Sequence, residues 1–364
     1  MGTPLALFTT PKESSDSRPD ASTRLDWYIT IAAVWMMTGL FIDAHQHLFE
    51  TIDTFLNPWH ITLYSGAIAA AVILALEIRR NWRPDRGFWE SIPHGYAQSV
   101  VGAGCLILGG ALDAVWHAIF GFEHQLDLLL SPPHLVLLTG LFFLVTGPVR
   151  SGLARPNATT LIDELPMLVS MGVAFEVVQF VTQFGFYPEA LLRDRPLSQQ
   201  QFIHQQFVLS VMLFYKQSTE ILTVIWQSLV LASAAIYLCS RKQLHAGAFV
   251  VLCVAEKIWI GGELSTDVGE FALIVLASIV AGAAGDAIVA KYRPSVVRAG
   301  ALRWFGGVVP AAYMAAYFIF AFPMFGGTWW DASFTFGCIA LAGIAGVCVA
   351  QLFIAGYQSR PGAA

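Results

Sequence analysis

Residues 101–121 read VGAGCLILGGALDAVWHAIFG, an apolar run that places Asp113 and His117 in its last turns. About 20 mainly apolar residues suffice for a membrane-spanning helix, and ionisable side chains inside one are costly enough to need a reason. Asp113 and His117 are four residues apart, so a helix stacks them on one face. Beyond a short loop, Pro132 and Pro133 introduce His134, which opens the next apolar run and can close back on the same spot. The arrangement occurs twice. Residues 28–49, YITIAAVWMMTGLFIDAHQHLF, end with Asp43 and His47, and Pro58 then precedes His60. The two copies read D-A-H-Q-H with N-P-W-H-I-T-L-Y-S-G, and D-A-V-W-H with S-P-P-H-L-V-L-L-T-G, so Gly66 and Gly140 keep the same register.

The rest of the chain has the same apolar character. Of 364 residues, 56% are hydrophobic and 12% charged, and the mean hydropathy is +0.62, values outside those of soluble domains. The fold class expected is all-α, a polytopic integral-membrane helical bundle. Ten spans are expected, near 28–49, 59–78, 96–121, 133–149, 160–186, 217–239, 245–262, 268–290, 301–322 and 331–355. Basic residues (Arg79, Arg80, Arg83, Arg86, Arg150, Arg155, Arg241, Lys242, Lys291, Arg293, Arg298 and Arg303) sort to one side with the N-terminal tail. By the positive-inside rule that side is cytoplasmic and holds both termini, in a multi-pass protein of the inner (plasma) membrane.

The domain reading is a disordered polar tail (1–26), a duplicated metal-binding four-helix half (27–158), and a second helical half (159–358) with an outer loop at 187–216. A short tail (359–364) follows. No apolar core of the signal-peptide type occurs in the tail. The five cysteines show no paired spacing, which argues against a disulfide framework or a thiolate metal site. A net charge of −5 gives no case for a nucleic-acid partner.

This topology gathers Asp43, His47, His60, Asp113, His117 and His134 at the outer end of the first half. His45, Glu123, His124 and His204 join them, leaving only His94 and His245 of nine histidines inside. Imidazole with carboxylate suits copper, iron, zinc or nickel. The alternative is that these groups hydrogen-bond to one another between helices. Glu176, Gln179 and Gln183 share a face of the fifth helix and supply either a second shell or interhelical hydrogen bonds. Glu256, Lys257, Glu263, Asp267 and Glu270 crowd an outer helix end, where solvation is expected and guidance of protons or cations is the alternative. No Walker loop, GxSxG, HExxH or C-x-x-C-H is present.

At Asp43, His47 and His60 the chain resembles the C subunit of the copper membrane monooxygenases, the particulate methane and ammonia monooxygenase family. That family carries D-x-x-x-H on one helix and a Pro-preceded His starting the next. Twelve residues separate His47 from His60, and sixteen separate His117 from His134. The resemblance covers about 45 residues within the first 140. It implies copper, a helical bundle, and O₂-dependent hydroxylation of a small apolar substrate.

The function expected is therefore a copper-dependent membrane oxidoreductase of monooxygenase type, with membrane lipid around it. Its electron donor would be a quinol or a partner protein, and assembly into homo- or hetero-oligomers is compatible. Alternatives are a metal-ion transporter or chaperone, a zinc-dependent membrane hydrolase, and a b-type haem protein, since two facing histidines can hold haem b.

Overall fold

The computed structural model describes residues 18–47, 57–121, 129–155, 158–183, 206–265 and 267–359, with the side chains of residues 47, 206–210, 212 and 264 excepted. Glu123, His124, His204 and the side chain of His47 thus lie outside the described residues. Every described element is helical: α1 (Thr23–His47), α2 (Pro58–Asn81), α3 (Ala97–Phe120), α4 (Pro132–Val145), α5 (Gly147–Ala154), α6 (Leu161–Val181), α7 (Gln206–Arg241), α8 (Ala248–Ala255), α9 (Ile258–Leu264), α10 (Val268–Tyr292), α11 (Ala299–Phe325) and α12 (Ala332–Gln358), with a 3₁₀ turn at Trp89–Ser91. Helices satisfy their own backbone polar groups, which a hydrocarbon solvent requires.

Among the described residues, eight runs are long and apolar enough to cross a membrane: α1, α2, α3, α4 with α5, α7, α10, α11 and α12. The protein is a multi-pass helical membrane protein. Ile68, Leu76, Ile107 and Ile119 on α2 and α3 are exposed apolar side chains, a surface suited to lipid rather than water.

The two motif-bearing hairpins, α1–α2 and α3–α4, pack internally and touch each other little. In the first the leading helix is enclosed and in the second the trailing one, so α1 and α4 both lie against α6. α6 opens with a Thr160–Asp163 capping box and buries thirteen of its 21 residues. Its other contacts run to α5, α7, α8 and α9, so it helps to join the motif half to the rest.

Both hairpins cross through glycine at matching offsets. A Cβ on Gly66 would meet Met36 at 2.8 Å, and one on Gly140 would meet Leu106 at 3.0 Å. Met36 and Leu106 each stand seven residues before the motif Asp. One turn further, Gly39 rests on the Leu63 backbone and Gly109 on Leu137, each glycine four residues before the Asp and each leucine three after the second His. Side chains at these points would force the helices apart and pull Asp and His out of reach.

Three sequence expectations change. Residues 206–216, expected in the outer loop 187–216, form the first turns of the 36-residue α7. The segment expected to span at 245–262 is not one helix: it breaks between Ala255 and Ile258 into α8 and α9. Glu256 and Lys257 occupy the break and are 0% and 1% exposed, so they are interior groups and not a solvated helix end.

The opposite end of the first half is tied by Asp26 on α1. Its carboxylate, fully buried, accepts hydrogen bonds from Tyr96 Oη (2.5 Å) and Ser151 Oγ (3.1 Å) and pairs with Arg155. One side chain thereby links α1, the start of α3 and α5.

Candidate metal centre

Proline fixes the geometry of both closing histidines. Pro58 and Pro132 occupy the first position of α2 and α4, where the missing N–H is harmless and the constrained φ favours helix. His60 and His134 thereby fall in the first turn, facing back across the hairpin. On the facing helix, α3 places Asp113 and His117 on one side, as their four-residue spacing requires.

Asp113, His117 and His134 come together. Asp113 Oδ1 lies 3.4 Å from His117 Nε2 and 3.3 Å from His134 Nε2, and one ligand atom from each residue falls within 4.8 Å of the others. Among the described side chains this is the group with metal-site geometry. The Asp113 and His117 side chains are 11% and 8% exposed, while His134 is 22% exposed, which leaves one side accessible.

The second nitrogens of both rings are engaged. His117 Nδ1 lies 3.0 Å from the Gly121 carbonyl oxygen, and His134 Nδ1 lies 2.8 Å from Ser131 Oγ. A carbonyl only accepts, so His117 Nδ1 donates to Gly121 and Nε2 is the nitrogen turned to Asp113. In that orientation Nε2 and Asp113 Oδ1 are the two atoms that a cation between them would join. A charge-assisted hydrogen bond would draw them to about 2.7–2.9 Å. A tetrahedral ion bonded at about 2.0–2.1 Å to each donor would instead hold neighbouring donors roughly 3.3–3.4 Å apart. The separations of 3.3 and 3.4 Å lie beyond the charge-assisted range and at the spacing of donors about such an ion, and the Gly121 carbonyl and Ser131 hydroxyl are partners of the kind that orient metal-binding histidines.

Gly121 serves this site through its backbone. It caps α3 with φ 79°, and its N–H bonds the His117 carbonyl. That left-handed φ favours glycine, and it aims the Gly121 carbonyl at the His117 ring. Neither Gly121 nor Ser131 was singled out by sequence reasoning. Their signals are a glycine directly after the helix and a hydroxyl three residues before the closing His.

The first copy is drawn tighter. His60 Nε2 stands 2.8 Å from Asp43 Oδ1, an ordinary hydrogen-bond distance, and the His60 ring stacks on Tyr64 at 5.8 Å. His45 lies 3.8 Å from Glu263 on α9. Glu176 and Gln179 are engaged elsewhere: the Glu176 carboxylate accepts from the Trp259 and Ile260 N–H groups, and Gln179 bonds the Glu256 carbonyl and Lys257. Both hold the α8–α9 break.

No family model matches the chain, and no curated protein or solved structure is significantly similar to it. The candidate centre accordingly rests on its own geometry.

Ser131→Ala removes the hydroxyl beside His134 Nδ1 and leaves the three donors in place. Its expected effect is metal affinity about 10- to 100-fold weaker, read by competition with a chelator of known affinity. Unchanged affinity would mean that Ser131 does not orient the ring.

Proposed function

We propose that this chain is an integral-membrane metalloprotein of oxidoreductase type, in which Asp113, His117 and His134 hold a copper ion for O₂-dependent oxidation of a small apolar substrate. The observation that carries the reading is the donor spacing of 3.3 and 3.4 Å about Asp113 Oδ1. Copper is favoured by the motif resemblance. When bound, the ion supplies redox chemistry at its open side.

The protein's own contributions are local. Asp113 offsets cationic charge in an apolar setting, and Gly121 and Ser131 fix the ring orientations. Trp116, whose ring lies 4.4 Å from that of Phe120, adds an aromatic surface on the residue before His117. Asp43 and His60 form the related set of the first hairpin, in which His47 is the counterpart of His117 in sequence. In this reading helices α1–α2 and α3–α4 are an internal repeat, supported by their matched glycine crossings. The reading takes ten spans, α6 and the broken α8–α9 segment joining the eight apolar runs, with both termini on the cytoplasmic side of the plasma membrane. Electrons come from a membrane quinol or a partner protein.

A specific observation favours iron as the second reading: two histidines and one carboxylate with an open side are the donor set of non-haem iron oxygenases. Elemental analysis of detergent-purified protein, with an optical spectrum, separates these. One copper per chain supports the proposal and one iron the second reading. Zinc or a haem Soret band would redirect the function, and no bound metal after metal supplementation would overturn it.

A further inference from the structure

The α8–α9 break contains more ionisable chemistry than the fold requires. Breaking a helix in an apolar interior exposes backbone donors and acceptors that must find partners. Here α6 provides them: Glu176 accepts from Trp259 N–H (2.9 Å) and Ile260 N–H (3.0 Å), and Gln179 Nε2 donates to the Glu256 carbonyl (2.6 Å). Lys257 Nζ donates to Gln179 Oε1 (2.6 Å). Glu176, Gln179 and Lys257 therefore each have structural work.

The Glu256 carboxylate takes part in none of these hydrogen bonds. It is 0% exposed, and neither carboxylate oxygen has a hydrogen-bond partner among the described residues. A buried carboxylate without hydrogen bonds is strongly disfavoured, and an ionisable residue kept within a membrane bundle without stabilising it is a functional group by default. A metal cation does not suit it, because the adjacent Lys257 ammonium repels one and Glu176 is committed to backbone donors. The ligand that needs no further oxygen donors is a proton.

Other protonatable groups lie within electrostatic range of this position. Lys257 and Glu176 interact electrostatically with Glu256, as do Cys253 on α8 and Tyr313 on α11. Cys253 also senses Asp286 on α10, whose Oδ1 accepts from Phe249 N–H while Oδ2 has no partner among the described residues. In the other direction Tyr317 senses Tyr313, Glu270 on α10 and Glu220 on α7. Glu270 lies toward the Asp/His end and Asp286 toward the Asp26 end. Sixteen residues of α10 separate them, about 24 Å at helical rise, against a hydrocarbon thickness of about 30 Å.

We propose that Glu256, buried at the α8–α9 break without a hydrogen bond among the described residues, is a proton-exchange site. Glu256 takes up and releases one proton within the bundle. The inference stands apart from the metal centre, since it uses only α6 to α11.

Infrared difference spectroscopy of the purified wild-type protein, in H₂O and in D₂O, tests it. A carbonyl band of a protonated carboxylic acid is expected, shifted in D₂O and bleached as pH rises. Glu256→Gln should lose that component, and Glu256→Asp, which keeps the carboxyl if the amide variant does not fold, should move it. A wild-type spectrum without such a band, a band that does not shift in D₂O, or one unchanged in either variant would overturn the proposal.

Discussion

Purified His134→Ala protein is expected to bind its metal at least about 100-fold more weakly than wild type, since losing a ligand exceeds the loss of an outer-shell partner. Two donors, Asp113 and His117, would remain, and His117 would keep its hydrogen bond to Gly121. The measurement is chelator competition on matched, monodisperse samples. His45→Ala is the control, because that side chain is 49% exposed and lies 3.8 Å from Glu263. His60→Ala is the more informative companion. His60 is at hydrogen-bond distance from Asp43, so its removal should leave the Asp113 centre loaded. Equal metal content in His134→Ala and wild type would return the second copy to interhelical hydrogen bonding.

The second large effect is expected on stability. Arg155→Ala leaves the Asp26 carboxylate buried with hydrogen bonds from Tyr96 and Ser151 but no cation. Removing one partner of a buried pair costs about 3–5 kcal/mol, because the remaining charge is left uncompensated. Chemical denaturation in detergent, following the helical signal, reads the loss. Adding Asp26→Asn to Arg155→Ala should recover part of it by removing the stranded charge. A double variant no more stable than Arg155→Ala would show that the loss arises from Arg155 packing instead.

The membrane character of the chain was legible because it depends on composition and run length. The eight apolar helices fall within runs visible in the sequence. Asp113, His117 and His134 were equally legible: a four-residue spacing on a helix and a proline-started partner are local rules, and the structure brings these three together. The glycine offsets were only half visible. Gly66 and Gly140 stood out in the copied text, whereas Gly39 and Gly109 gained meaning only when Leu63 and Leu137 were found against them.

Glu256 and Lys257 show the limit of linear reading. As an acid–base pair near an expected helix end they suggest solvation, yet they lie in the interior because α6 wraps a broken helix there. The Asp26 cluster is similar, since Tyr96, Ser151 and Arg155 stand 70, 125 and 129 residues away in the chain. By itself the sequence determined that this chain is helical, that it crosses a membrane several times, and which residues can share a helix face, because backbone satisfaction in hydrocarbon and helical periodicity act over a few turns. Only the tertiary structure decided that the two Asp/His copies differ in spacing, that Glu176 and Gln179 secure a helix break, and that Glu256 is enclosed without a hydrogen-bond partner among the described residues. Those outcomes depend on which helices meet, and that is set by packing between segments far apart in the chain.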